Sequence, residues 1–132
     1  MVFPKRSYIK ELIQQSDYDI NTARNMFKTK SYIYCVFMCH LSLEKMLKAL
    51  HIQNLGVIAP KTHFLSYLTK AQNLELQEDE KTLIEDLDKA GIPTRYPEKI
   101  KIMLKTYNAS ITKEILIKTI EVLKCLKKKL EK

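Results

Sequence analysis

Between Pro93 and Pro97 the chain reads Thr94-Arg95-Tyr96, which places a guanidinium and a phenol on a stretch whose backbone the two prolines restrict. A guanidinium forks onto phosphate oxygens and its plane stacks on flat rings, so Arg95 with Tyr96 is equipped for phosphate or base recognition. The same two residues also suit a structural role, with Arg95 paired to an acid of a neighbouring helix and Tyr96 closing over the core. Glu44 and Lys48 stand one helical turn apart in the favourable order. At the least they form an intrahelical ion pair worth about 0.3 to 0.5 kcal/mol; with Lys45 they also make a charged edge suited to lining a cleft and orienting Arg95. His40 lies one turn before Glu44, within hydrogen-bond reach on the same helix face. His63 follows Thr62 at an expected helix start, where it packs and caps or, facing Arg95, completes an anion site beside backbone N–H groups. Cys35, Cys39 and His40 are soft ligands, but four-coordinate zinc needs more donors and no second cysteine-rich element exists, so neither a metal nor a cofactor is expected.

These residues need elements to carry them. Ile9, Leu12, Ile13, Ile20, Ala23, Met26 and Phe27 approximate one stripe of a helix over residues 7–29. Residues 32–54 are apolar on nearly all sides, which predicts the central, most buried helix, with Ser31 as its cap. Gly56 should end it in the left-handed conformation, and Pro60 interrupts the backbone before Thr62 caps a short helix over 63–72. Acids at the start of 79–90 and Lys89 at its end match the helix dipole. Residues 92–108 read as a loop holding Arg95, with a helical turn near 100–104. Leu116, Ile120, Leu123, Leu126 and Leu130 recur at helical spacing in a last helix over 110–130, with lysines between them.

With only two glycines and four prolines among 132 residues, the chain has little material for the tight turns of a β-sandwich or barrel. Its length suits one domain, residues 1–132. The expected fold is all-α, an antiparallel up-and-down bundle of four to five helices. No apolar run approaches the roughly 18 residues that a membrane span needs, and Met1-Val2-Phe3-Pro4-Lys5-Arg6 leads into a polar amphipathic segment. A cytoplasmic location without a membrane partner is therefore expected. Three cysteines, an odd number, speak against a disulfide framework.

The net charge of +8 is unevenly spread: residues 75–88 hold seven acids and one lysine, whereas 89–132 hold twelve basic residues and four acids. A lysine-rich tract is either a solvated face or an electrostatic surface for RNA or an acidic protein. The Lys127-Lys128-Lys129 run reads as a frayed end in solvent.

Three blocks in order give a more specific reading. Glu44-Lys45-Met46-Leu47-Lys48-Ala49 on the second helix, Pro60-Lys61-Thr62-His63-Phe64-Leu65 before the third, and Thr94-Arg95-Tyr96-Pro97 after the fourth together resemble the HEPN family. One departure is that the family usually carries two glutamines before the first block, where this chain has His40-Leu41. The resemblance implies a four- or five-helix bundle that commonly forms a homodimer with a cleft between subunits. It also implies one half of a toxin–antitoxin-type module whose other half is a minimal nucleotidyltransferase. Active toxins of the family are metal-independent ribonucleases with four to six residues standing between an Arg and a His. Here Arg6, Arg24 and Arg95 are followed at that interval by Glu11-Leu12-Ile13, Thr29-Lys30-Ser31 and Ile100-Lys101-Ile102. That motif is absent, so the reading leans away from an enzyme and toward a homodimeric binding protein for nucleotide or RNA phosphates. Two alternatives stand beside it: a ribonuclease with a rearranged site, in which His63 would meet Arg95 in space, and a nucleotide-binding adaptor using Arg95 and Lys48.

Overall fold

The computed structural model describes residues 4–91 and 99–130, and these build six α-helices with no strand among them. Helices α1 (Lys5–Lys28) and α2 (Tyr32–Leu55) are each 24 residues long, about 36 Å at 1.5 Å per residue. The rest are α3 (Leu65–Ala71), α4 (Glu78–Gly91), α5 (Ile100–Thr106) and α6 (Ala109–Lys128). The architecture is the expected all-α bundle. Its count exceeds the expectation by one because the turn expected near 100–104 is a separate seven-residue helix, α5.

α2 is the core of the molecule. Val36, Cys39, Leu43, Met46, Leu47 and Leu50 are fully buried, and Leu65, Leu68, Leu87 and Leu126 close around them from α3, α4 and α6. Burying each such leucine contributes roughly 1.5 to 3 kcal/mol. α1 and α2 form the most extensive helix pair, and small residues let them approach. Ser16 Oγ donates to Ser42 O and Ser42 Oγ donates to Ser16 O, both at 2.8 Å. The buried face of α1 accordingly falls on Ser16, Asp19, Ile20 and Ala23. Ile9, Leu12 and Ile13, expected in the stripe, are only half-buried near its start.

Ends of elements explain the connections. Gly56 closes α2 at φ +74° with its N–H on Ile52 O at 2.8 Å, the left-handed cap that glycine adopts without steric cost. Ser31 precedes α2 as expected but makes no side-chain cap; its hydroxyl lies 3.2 Å from Thr29 Oγ1 instead. Thr62 does not cap α3 directly either. Its Oγ1 accepts from Phe64 N at 3.2 Å, a turn one residue too early. The cap comes from α4, where the Asp88 carboxylate accepts Leu65 N at 2.6 Å and Ser66 N at 3.0 Å. Asn108 caps α6 by accepting from Ile111 N at 2.9 Å. Lys127, expected to fray, binds Asp17 of α1 at 2.7 Å. Among the described residues no helix is long and apolar enough to cross a membrane.

Candidate functional site

The α2 block places its charged residues where the long bundle helices meet the α2–α3 connection. Glu44 is a residue of the packed helix and is only 5% exposed. A buried carboxylate costs several kcal/mol unless cations and donors surround it. Lys48 Nζ reaches its Oε2 at 3.1 Å, and His63 Nδ1 reaches its Oε1 at 3.1 Å. His40 Nδ1 lies 3.8 Å from that same Oε1. One carboxylate thus gathers an ammonium from its own helix and an imidazole from the chain entering α3.

His63 arrives there for local reasons. Thr62 N bonds Pro60 O at 2.8 Å and Phe64 N bonds Thr62 Oγ1, so the chain turns sharply on both sides of the histidine. Asp88 then fixes the first amides of α3 immediately after it. Upstream, buried His51 holds the loop through Nδ1 and Val57 O at 3.1 Å. The imidazole of His63 is left 64% exposed, while the Lys48 side chain is 22% exposed. Lys45 points to α1 and pairs with Asp19 at 2.7 Å. Asp19 was not anticipated from the sequence, yet Ser16, Asp19, Ile20 and Ala23 follow one another at helical spacing and mark a buried face carrying an acid.

His40, a further candidate for the site, is 2% exposed and lies beneath the cluster. The backbone N–H groups that the alternative anion site at the start of α3 would use are taken, because the Asp88 carboxylate accepts the Leu65 and Ser66 amides. Arg95 and Tyr96, and with them the predicted meeting of Arg95 with His63 or Lys48, lie outside the described residues.

Cys35 and Cys39 are buried side by side on α2. A hydrogen bond between them lowers the Cys35 thiol against the opposing effect of burial, and that bond together with burial holds Cys39 above the ordinary thiol range. Among the described residues no group of three or more His, Cys, Asp or Glu side chains could hold a metal ion. Burial, with the nearby Asp86 carboxylate, raises the Tyr107 phenol above its ordinary value. It lines a hollow of about 350 Å³ between α4 and α6. A second hollow of about 700 Å³ lies between Ile9 and Ile13 of α1 and Leu130. Neither includes Glu44, Lys48 or His63.

The basic excess is exposed. Lys99, Lys101 and Lys105 on and before α5, and Lys113, Lys118, Lys124, Lys127, Lys128 and Lys129 on and after α6, all face solvent. Residues 99–130 contain only two acids, Glu114 and Glu121, against those nine lysines.

A HEPN domain model matches residues 9–130. The bundle is similar to the crystal structure of TT1696 from Thermus thermophilus, with a TM-score of 0.79 at 23% identity over 92% of this chain and 98% of that one. It is also similar to ST0689, described as an archaeal HEPN homologue, with a TM-score of 0.74 at 24% identity over 93% and 98%. No curated protein matches the chain. A helical bundle organised on the Glu44 block, matched along nearly its whole length, defines the class: this chain belongs to the HEPN domain family.

Proposed function

We propose that this HEPN protein works by binding, as a homodimer and as one half of a two-protein module with a minimal nucleotidyltransferase. In this reading it takes nucleotide or RNA phosphates at the edge formed by Glu44, Lys45, Lys48 and His63, with Arg95 and Tyr96 completing the cleft. The observation that carries the reading is the shared Glu44 carboxylate, which holds Lys48 and an exposed His63 in fixed positions at the surface. Side chains held in place by a buried anchor lose less freedom on meeting a ligand. The nine exposed lysines supply the long-range attraction that brings a polyanion to this edge.

The test is expression together with the native flanking reading frames, followed by identification of what co-purifies, and titration of the purified chain with ATP and with short RNA. Co-purification of a small nucleotidyltransferase, with phosphate-ligand binding that weakens in Arg95→Ala and Lys48→Ala, supports the reading. A chain that purifies alone and binds neither ligand contradicts it.

A further inference from the structure

The Glu44–His63 contact has a directional consequence. An ionised carboxylate only accepts hydrogen bonds, so the imidazole nitrogen facing it must carry the proton. That nitrogen is Nδ1, at 3.1 Å from Glu44 Oε1. The neutral ring then has its lone pair on Nε2, which makes no hydrogen bond among the described residues and belongs to a side chain 64% exposed. A nucleophile oriented through its far side by a fixed acid is the arrangement that activates histidine. The other two histidines offer no equivalent, being 2% and 4% exposed. Lys48 occupies the second oxygen of the same carboxylate, so the acid that orients the ring is itself held in place.

We propose that His63 is a phosphoryl acceptor, modified at Nε2. The Nε2 lone pair forms the N–P bond, and the bond from phosphorus to the donor's leaving group breaks with its electron pair. The ring becomes a phosphoimidazolium whose Nδ1–H faces Glu44, and loss of that proton to solvent gives phosphohistidine with a neutral ring and an anionic phosphoryl group. The donor class is an acyl phosphate, which leaves as the carboxylate. The inference uses the cluster of the proposed function but not its ligand binding, so a chain that binds no nucleotide can still be labelled, and the reverse.

The chemical probe is phosphoramidate, from which ammonia leaves. Incubated with the full chain, it should add one acid-labile phosphoryl group, seen by intact mass and ³¹P NMR, mapped to His63 and absent in His63→Gln. Glu44→Gln should label about tenfold more slowly, the order set by loss of one hydrogen bond to a charged group. Because that variant also disturbs a buried pair, the ¹⁵N spectrum of the unaltered chain supplies an independent reading: His63 should show a protonated Nδ1 and an unprotonated Nε2. Labelling of His40 or His51 instead, no labelling, or the opposite tautomer overturns the proposal.

Discussion

Glu44 shows how one residue type in one place sets a local design. On an exposed helix the Glu44–Lys48 spacing would amount to a few tenths of a kcal/mol. Here the carboxylate is buried, so its partners matter more than the pair's own attraction, since removing one side of a buried pair strands the other. Cysteine follows the same logic of environment over type. Cys35 and Cys39 are buried and Cys125 is exposed, and access together with thiolate formation controls reactivity. With a chromogenic disulfide reagent, the native chain should release one thiol equivalent rapidly and the other two only on unfolding. Cys125→Ser should abolish the fast phase; fast release of all three would contradict the packing described for α2. Of the residues in the cluster, the Glu44–Lys48 pair was legible in the sequence because helical spacing marks it, whereas His63 was singled out by its loop block but its contact with Glu44 was not foreseen. Asp19 was not, because its value depends on Lys45 reaching across to α1, a contact that no local pattern encodes.

At the scale of elements, the informative case is α3. Its sequence suggests a threonine cap at Thr62, yet the structure uses Asp88, 23 residues beyond Leu65, to satisfy Leu65 and Ser66. Capping rules read a sequence locally, and a cap supplied from a neighbouring helix emerges only once the helices are packed. Asp88→Ala should therefore cost about 1 to 2 kcal/mol, the range for loss of a helix cap, measured by urea unfolding. An unchanged midpoint would mean that Asp88 does not hold α3. By contrast Gly56 was legible in advance, since the end of α2 required a left-handed residue and glycine is the one that adopts it freely. α1 was legible as a helix but not in its buried face. The large side chains at its start stay half-buried, while the face against α2 is built from Ser16 and Ala23, where small size permits the serine-to-serine contacts.

For the whole molecule, charge and fold divide the work. Residues 99–130 expose nine lysines against two acids, and in the proposed reading they attract a polyanion without distinguishing its sequence. The Glu44 cluster presents two lysines, each tied to a carboxylate, beside His63, and so adds position more than field. Composition made the first legible as a charge bias, and helical spacing made half of the second legible. The two parts can be separated by titrating the ¹⁵N-labelled chain with a short single-stranded RNA at increasing salt and following every backbone amide. Resonances around Lys45, Lys48 and His63 should move throughout the series, and Lys48→Ala should weaken binding even where salt has suppressed the α6 response. Shifts confined to the lysines of α5 and α6, vanishing with salt and unaffected by Lys48→Ala, would contradict a binding edge built on Glu44.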